Sequence, residues 1–445
     1  MSVVILMKKF KVVTLGCKVN SYESEAVANI FESNGYVRSE KDADVIIINT
    51  CSVTSTSDSK SRQKIRHEIK DHPNAIVCVM GCYSQVNAQE AAEIDGVSIV
   101  IGTKYRSSLY ELVKEYEQNK AKIIKIEDSN TFKKFEDLNV IDYFSNTRAY
   151  LKIQDGCNNF CSYCIIPYTR GRVRSKDRDL IVNEANNLVK RGYKELVLTG
   201  IHTGGYGIDL ENYRFEDLLK DMANEVKGID RIRISSIEIH ELNDEVIEMM
   251  KNNKMFVNHF HIPLQTGCDV ILKRMNRKYD IKYFMERVNK IRESFDRCNL
   301  TTDVIVGFPG ETDENFKETC ENIRKIGFTK IHVFPFSSRK GTVAASLPNQ
   351  INGNVKKQRV NELIALSKEL GLNYYSKFIG EKIEVLFETY DNDSKILSGY
   401  TSNYIKVNCY GDESLINSIA TVKLIELIEK DNDYEMKGEL INELR

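Results

Sequence analysis

Three cysteines lie close together near the middle of the 445-residue chain, at Cys157, Cys161 and Cys164. Three and then two residues separate them, so a single loop can bring three thiolates to one metal centre. Soft thiolate ligands favour iron–sulfur clusters and zinc. A structural zinc site is closed by four protein ligands, whereas this stretch has no fourth cysteine or histidine nearby. The spacing therefore predicts a reactive iron–sulfur centre with an open position, and a zinc knuckle or three incidental thiols are the alternatives.

The cysteine count and the composition bear on where the protein works. Cytosolic thiols are kept reduced, so the eleven cysteines indicate metal or redox chemistry rather than disulfides. Hydrophobic content of 42% and charged content of 29% are typical of a soluble globular protein. The apolar run from Met1 to Met7 ends at Lys8 and is too short for a signal peptide. We expect a cytoplasmic protein with no membrane partner, starting at Met1 or Met7.

The first part of the chain alternates short apolar runs with amphipathic ones, which is typical of an open parallel sheet covered by helices. The predicted strands are residues 11–15, 45–49, 76–80 and 98–101. The first helix is predicted from Ser21 to a stop signal at Asn34 and Gly35. The chain therefore begins with an α/β domain.

Three more cysteines, Cys17, Cys51 and Cys82, each follow one of these strands by one or two residues. The carboxyl ends of parallel strands share one edge of a sheet, where ligands bind. Cysteines that are far apart in sequence therefore converge and could hold a second metal centre. Cys78 lies within a predicted strand and is assigned to packing instead.

The rest of the chain predicts two further units. Six strand-then-helix repeats have their strands at residues 150–153, 195–199, 231–234, 259–263, 300–306 and 330–336. Such repeats predict a partial (β/α)6 barrel with one open side, and the cysteine loop follows its first strand. After a helix at residues 355–370, strands at 382–388, 400–407, 421–428 and 434–438 predict a small antiparallel, OB-like barrel.

Glycines follow several barrel strands, where a missing side chain lets backbone approach a ligand. We predict cofactor contacts at Gly200, Gln265, Gly267 and Gly307. Tight-turn geometry explains these residues about equally well.

With both cysteine triads placed, nearly the whole chain resembles the methylthiotransferases, a family of radical S-adenosylmethionine enzymes. The resemblance implies an auxiliary-cluster domain at residues 8–118, a linker at 119–147, a radical core at 148–374 and a TRAM domain at 375–445. Residues 14–24 read TLGCKVNSYES and residues 49–54 read NTCSVT. Both look like the branch that modifies threonylcarbamoyladenosine beside the tRNA anticodon, at position 37.

The resemblance implies two [4Fe–4S] clusters and S-adenosyl-L-methionine as cofactors. Cys157, Cys161 and Cys164 would hold the radical cluster, and the other triad the auxiliary one. Carbon 2 of adenine carries an unactivated hydrogen that no protein acid or base removes, so a cofactor radical is required. We expect no catalytic residue beyond the cluster ligands. The family also implies an electron donor such as flavodoxin or ferredoxin.

A tRNA partner requires a local basic surface, because the net charge is only −1. Residues 148–178 hold seven basic and two acidic residues. The last seventy residues hold fourteen acidic and eight basic residues, which opposes phosphate contact. We therefore expect most RNA affinity from the stretch beside the cysteine loop. The predicted RNA contacts are Arg170, Arg172, Arg174 and Lys176, with a narrow second face at Lys395, Tyr404 and Lys406.

Two kinds of alternative remain at this level. The same chemistry could act on isopentenyladenosine in tRNA or on an aspartate of a ribosomal protein, because few residues separate these branches. A non-catalytic iron–sulfur or zinc RNA-binding protein is the alternative from another class. Open coordination positions favour catalysis, since a binding module has little need for them.

Overall fold

The structure is a computed structural model that describes residues 7–143 and 147–441. Most of the opening apolar run, residues 1–6, lies outside the described residues, as do the last four residues of the predicted TRAM domain. Within the described ranges, no helix has the length and apolar character needed to cross a bilayer.

The first unit is a six-stranded parallel sheet with strand order β2-β1-β3-β4-β5-β6. All four predicted strands are present, and two short ones were missed because two or three residues carry too little pattern. The strands are β1 (Lys9–Thr14), β2 (Val37–Arg38), β3 (Val45–Thr50), β4 (Ile76–Gly81), β5 (Val97–Ile101) and β6 (Ile123–Lys125). The last of these extends the sheet into the segment predicted as a linker.

Helices cover both faces of this sheet over two apolar clusters, one around Phe31 and one around Ile65. The helices are α1 (Lys18–Ser33), α2 (Ser55–Asp71), α3 (Cys82–Val86), α4 (Ala88–Ala92) and α5 (Leu109–Asn119). The first helix begins at Lys18 rather than at the predicted Ser21, and Cys17 is its N-cap residue. The carboxyl ends of β1 and β4 therefore each lead through a cysteine into a helix.

The central unit is a partial barrel of six parallel strands in two groups, β11-β10-β7 and β12-β13-β14. A bridge between Ile232 and Phe256 joins the groups, so the gap in the barrel lies between β7 and β14. All six predicted strands are present. The strands are β7 (Arg148–Lys152), β8 (Gln154–Asp155), β9 (Arg174–Ser175), β10 (Glu195–Thr199), β11 (Arg231–Ile234), β12 (His259–His261), β13 (Asn299–Val306) and β14 (Lys330–Pro335), with β8 and β9 forming a separate antiparallel pair.

Helices enclose the barrel, and one of them belongs to the first unit. Tyr22 and Ala26 of α1 lie in the same apolar cluster as the barrel strands, so the first domain packs along β7. The remaining helices are α6 (Ile166–Arg170), α7 (Arg178–Lys190), α8 (Phe215–Glu225), α9 (Asp244–Asn252), α10 (Asp269–Arg274), α11 (Ile281–Ser294), α12 (Asp313–Ile326) and α13 (Gly353–Tyr375).

The last unit is a closed five-stranded barrel with strand order β15-β16-β17-β19-β18. The strands are β15 (Lys382–Asp391), β16 (Ile396–Thr401), β17 (Lys406–Tyr410), β18 (Ile419–Lys430) and β19 (Asp433–Leu440). The predicted strand at 400–407 is wrong: a turn interrupts it, and Tyr404 in that turn has a φ of 65°. The barrel is also mixed rather than fully antiparallel, because β17 and β19 pair in parallel.

This small barrel covers the amino ends of the central strands. Nη1 of Arg231 donates to the Tyr400 carbonyl at 2.8 Å, and the Asn299 amide donates to the Asn403 carbonyl at 2.8 Å. Both donors are the first residues of their strands. The cysteine loop follows the carboxyl end of β7, so the central barrel is capped at one end and carries its thiols at the other.

Candidate active site

The loop that carries Cys157, Cys161 and Cys164 is fixed by backbone hydrogen bonds to its surroundings. The Cys157 amide donates to the Gly171 carbonyl at 3.0 Å, and the Ser162 amide donates to the Met275 carbonyl at 3.0 Å. Phe160 within the loop has a φ of 47°, a left-handed conformation that a phenylalanine rarely adopts. The surrounding structure therefore holds the three thiols in one arrangement.

The three thiols have the environment of iron–sulfur ligands. The Asn159 amide donates to the Cys157 sulfur at 3.5 Å, and Nη1 of Arg277 donates to the Cys161 sulfur at 3.4 Å. Burial raises the pKa of the Cys164 thiol, and the nearby Cys161 and Cys157 raise that pKa further. All three are free thiols. N–H donors that point at clustered sulfurs suit cluster thiolates, so these residues fit the metal centre predicted from their spacing.

A histidine that the sequence reading missed lies against this loop. Nε2 of His202 lies 2.5 Å from Oε1 of Glu241, and the His202 amide donates to Oε1 of Gln154 at 2.9 Å. Burial alone would lower the pKa of His202, but hydrogen bonds to Cys157 and Glu241 raise that pKa to about 11. The side chain is thus held as a cation beside the first thiol. Its position three residues after a barrel strand was the only available signal.

The second triad, Cys17, Cys51 and Cys82, is assembled at the carboxyl edge of the first sheet. Cys17 caps α1, Cys51 follows β3 and Cys82 begins α3. Burial raises the pKa of the Cys82 thiol to about 11, against the charge of Arg170, and Cys51 and Cys17 contribute to the same rise. The three thiols therefore sense one another's charge. The structure brings them together as the sheet topology predicts.

Glycine makes this convergence possible at one position. A Cβ on Gly16 would lie 3.1 Å from Cβ of Cys51, and the φ of Gly16 is +113°. Asn20 fastens the same corner, because its amide donates to the carbonyls of Leu15 at 2.8 Å and Thr50 at 3.1 Å. The strand ends that carry Cys17 and Cys51 are therefore tied to each other.

A buried ionic network links the second triad to the segments on either side of the cysteine loop. Arg170, at the end of α6, donates through Nε to the Cys82 sulfur at 3.3 Å and through Nη1 to Glu23 at 2.7 Å. Lys152 lies 2.6 Å from Glu23 and 2.7 Å from Asp155. Arg106 also pairs with Glu23. We call these five residues the ionic network, and it connects the first domain to the central barrel.

The ionic network leaves its carboxylates charged. Burial would raise the pKa of Glu23, but Arg106, Arg170 and Lys152 outweigh burial and hold that pKa well below its usual range. Burial likewise opposes ionisation of Asp155, and Lys152 and Arg170 lower its pKa. The surplus positive charge of the network lies against Cys82. A cation beside a thiol favours the thiolate, which is the form that binds metal.

A cavity of about 460 Å³ lies where the three domains meet. Its walls come from the first domain, from barrel strands β12 to β14 and from the small barrel. We call this cavity the chamber. Among its lining residues are Lys18, His261, Asp303, His332, Tyr404 and Glu435. Lys18 directly follows Cys17, so one wall of the chamber is continuous with the second triad.

Comparisons with known proteins agree with this arrangement. Residues 151–323 match the family model described as the radical SAM superfamily, and residues 9–102 match the one described as uncharacterized protein family UPF0004. The two matches cover the cysteine loop and the second triad respectively. The chain is 46% identical over 418 residues to the threonylcarbamoyladenosine tRNA methylthiotransferase MtaB of Bacillus subtilis, covering 93% of each chain.

This chain belongs to the radical SAM methylthiotransferase family. This chain is also 37% identical to the tRNA-2-methylthio-N(6)-dimethylallyladenosine synthase of a Thermoanaerobacter species, over 98% of this chain and 93% of the relative. Among solved structures, a radical S-adenosylmethionine methyltransferase, TsrM from Kitasatospora setae, matches with a TM-score of 0.55 at 12% identity, covering 76% of this chain and 77% of that one. The last likeness shows the fold alone. The superfamily implies S-adenosylmethionine and one four-iron four-sulfur cluster.

The predicted cofactor contacts of the methylthiotransferase lie at the carboxyl ends of the barrel strands. Packing explains two of the glycines: a Cβ on Gly267 would lie 2.9 Å from the Thr319 backbone, and one on Gly307 would lie 2.4 Å from Lys356. A Cβ on Gly200 would lie 2.9 Å from Oε1 of Gln154. Gln265 has a φ of 67° and pairs with Val304 as a bridge. Contact with S-adenosylmethionine stays a prediction for all four.

Three predicted RNA contacts of the methylthiotransferase need correction. Arg170, Arg174 and Lys176 are 0%, 4% and 1% exposed. Arg170 and Arg174 lie against Asp155, and Lys176 pairs with Glu184. Their charges are neutralised inside the protein, so these side chains connect domains and helices rather than offering charge to phosphates.

The other predicted RNA contacts have mixed surroundings. Arg172 is exposed and lies 4.3 Å over the Phe160 ring of the cysteine loop. Lys395 is exposed, whereas Lys406 is partly buried and pairs with Glu435 at 2.6 Å. Tyr404 lines the chamber and stacks on Tyr400, with ring centroids 4.6 Å apart. Arg172 and Lys395 therefore stay predicted RNA contacts, while Tyr404 faces inward.

Proposed function

We propose that the protein is a tRNA methylthiotransferase that converts N6-threonylcarbamoyladenosine beside the anticodon to its 2-methylthio derivative. The observation that carries the proposal is the presence of two thiol triads, with the ionic network against Cys82 of the second triad and a chamber of about 460 Å³ lined by Lys18, which follows Cys17. The relatedness to MtaB of Bacillus subtilis supports the choice of nucleoside.

Each triad would hold one four-iron four-sulfur cluster, with Cys157, Cys161 and Cys164 binding the radical cluster and Cys17, Cys51 and Cys82 the auxiliary one. When bound, these groups and S-adenosylmethionine supply the radical that removes an unactivated hydrogen and the sulfur that replaces it. Three protein ligands per centre leave one iron position open for a second molecule.

The protein's own side chains prepare this site. Arg277 and the Asn159 amide point N–H groups at the loop sulfurs, and Arg170 does the same for Cys82. Buried donors of this kind stabilise thiolates and lower the cost of collecting several negative sulfurs in one place. The ionic network ties α1, which follows Cys17, to α6, which follows the cysteine loop.

Binding of tRNA would use exposed cations around the mouth of the site. Arg172 lies on the cysteine loop side, and Lys60 and Arg66 are exposed on α2, which follows Cys51. Lys395 would add a contact from the small barrel. Such contacts position the anticodon stem-loop and carry little sequence information. A one-electron donor such as flavodoxin or ferredoxin would be the second partner. We assign the reaction to the cytoplasm, where thiols stay reduced.

Nucleoside mass spectrometry tests the proposal. The chain is expressed in a host that lacks its own methylthiotransferase of this kind, and tRNA from cells with and without it is digested to nucleosides. We expect 2-methylthio-threonylcarbamoyladenosine only in the presence of the chain. Appearance of the methylthio-dimethylallyl nucleoside instead would assign the protein to the other tRNA branch. Absence of both would favour a ribosomal protein substrate or a non-catalytic role.

A further inference from the structure

Lys18 occupies a distinctive place in the chamber. It follows Cys17 at the start of α1 and reaches the cavity that β12, β13 and β14 line from the other side. The side chain is partly buried. Among residues 7–143 and 147–441, no carboxylate lies within ion-pair distance of its ammonium, and no hydrogen bond of its side chain is found.

The other two lysines that line the chamber have carboxylate partners. Lys330 pairs with Asp433, and Lys406 pairs with Glu435 at 2.6 Å. Nε2 of His261 lies 3.3 Å from Asp303. Within the described part of the chain, Lys18 is thus the chamber lysine without a carboxylate partner.

Two further cations lie beside the wall of the chamber. Arg148 donates to the Tyr404 hydroxyl at 3.0 Å, and the Arg233 guanidinium lies 4.4 Å over the Tyr404 ring. Both arginines have carboxylate partners, Glu388 at 2.7 Å and Glu195 at 2.7 Å. Tyr404 accepts a hydrogen bond from Nη1 of Arg148 at 3.0 Å, which leaves its own hydroxyl hydrogen free to donate. A cation and a hydroxyl donor therefore face the same space.

We propose that Lys18, assisted by Tyr404, binds the carboxylate of the threonylcarbamoyl group and makes the chamber the site that selects this nucleoside. This inference rests on the proposed function and names the residue that distinguishes the substrate from other nucleosides. A buried cation without a partner is costly, and an entering carboxylate removes that cost. Threonylcarbamoyladenosine has this carboxylate, whereas dimethylallyladenosine offers only an apolar group that would leave Lys18 unpaired.

The polar lining fits the rest of the same group. His332 lines the chamber, and its ring nitrogens suit the hydroxyl and ureido atoms of the threonylcarbamoyl chain, whereas His261 and Thr301 are already hydrogen-bonded to each other at 2.9 Å. A site built from such groups rejects an apolar substitute because its polar atoms would lose their partners. Selection would then come from the chamber, while phosphate contacts outside it stay the same for both substrates.

Binding of anticodon stem-loop RNAs tests the inference. Three RNAs are compared that carry threonylcarbamoyladenosine, its methyl ester or dimethylallyladenosine, using fluorescence anisotropy on reconstituted enzyme without S-adenosylmethionine. We expect the acid to bind about 10- to 100-fold more tightly than the ester, the range of one charge-assisted hydrogen bond. This comparison needs no substitution, and equal affinity for acid and ester would overturn the inference.

Substitutions then locate the effect. Lys18→Gln should bind acid and ester alike, whereas Lys18→Arg should keep a preference for the acid. Lys41→Gln removes an exposed positive charge from the same domain and is the matched control, expected to behave as the unaltered enzyme. Equal weakening of acid and ester by Lys18→Gln would assign Lys18 to folding or metal loading instead.

Two further measurements show whether a change in Lys18→Gln comes from substrate binding or from cofactor binding. S-adenosylmethionine also carries a carboxylate, so its affinity is measured for Lys18→Gln by equilibrium dialysis. A loss of cofactor affinity with unchanged RNA discrimination would overturn the inference. If the unaltered enzyme methylthiolates the threonylcarbamoyl RNA while Lys18→Gln still prefers acid to ester, the inference fails and the proposed function stands. If the unaltered enzyme methylthiolates only the dimethylallyl RNA, the proposed function fails as well.

Discussion

Cys157, Cys161 and Cys164 span eight residues of one loop, whereas Cys17, Cys51 and Cys82 span sixty-six residues and three strand ends. The first triad is positioned by backbone hydrogen bonds within and around its loop. The second exists only when the first sheet has folded and α1, β3 and α3 are in place. The local triad therefore depends on its loop, and the assembled triad depends on a whole domain and on the ionic network behind it.

The difference extends to how each triad is supported. The local triad receives N–H donors mainly from its own loop and from Arg277. The assembled triad receives a buried guanidinium from another domain, Arg170. Damage at the domain interface should therefore reach the assembled triad first.

Substitution of single cysteines should give the largest difference in activity and iron content between the two triads. Cys157→Ala and Cys17→Ala should each abolish methylthiolation and each lose about four of about eight irons after reconstitution. Only Cys157→Ala should also abolish formation of 5′-deoxyadenosine, because the local triad would hold the radical cluster. Iron analysis and chromatography of the nucleoside products measure both effects. Cys78→Ala is the control, since Cys78 is buried in β4 away from the strand ends.

Loss of 5′-deoxyadenosine formation in Cys17→Ala as well would contradict the division of labour between the triads. Retention of all irons in either variant would exclude that cysteine as a ligand.

Arg170→Met should have the next largest effect. It leaves Glu23 and Asp155 buried with one cation fewer, and breaking a buried pair in this way typically costs about 3–5 kcal/mol. We expect a lower temperature of thermal unfolding and less iron in the assembled triad than in the local one. Arg178→Met is the matched control, because Arg178 forms partly exposed ion pairs that contribute about 0–1 kcal/mol. Equal losses from both triads would mean that the network stabilises the protein as a whole.

Arg172→Glu should give the smallest of these effects. Arg172 is exposed beside the local triad, so charge reversal should weaken tRNA binding and flatten its salt dependence, by about 0.7 in slope for one lost contact to single-stranded RNA. Lys395→Glu on the small barrel should weaken binding less, because acidic residues dominate that domain. Binding titrations at several salt concentrations compare the two. The opposite order would place the main RNA surface on the small barrel.

The closeness of the three thiols in the local triad could be predicted from spacing alone, because the three cysteines follow one another on one loop. The assembled triad required one further step, since each cysteine had to follow a strand of a parallel sheet. The central barrel strands were also predictable, because short stretches with apolar residues, such as residues 195–199, recur between helical patterns. The periodicity of apolar residues and the order of the strands were therefore sufficient to predict most of the fold.

The burial of Arg170 and Lys176 could not be predicted from the sequence. Their partners, Glu23 and Glu184, lie in other helices, and Glu23 is 147 residues from Arg170. A basic run looks the same whether it faces phosphates or buried carboxylates. The predicted strand at 400–407 failed for a different reason: it ran through Ser402 and Asn403, which are turn-forming residues, and Tyr404 after them has a φ of 65°.

The chamber takes its walls from the beginning and the end of the chain, from Lys18 to Glu435. All six cysteines of the triads lie before residue 165, whereas Tyr404 and Glu435 belong to the last domain to be synthesised. Domains generally fold in order as the chain leaves the ribosome. A nascent chain therefore possesses both sets of thiols before its chamber is closed. On the proposed function, metal would then be delivered to an accessible site before the small barrel completes the chamber.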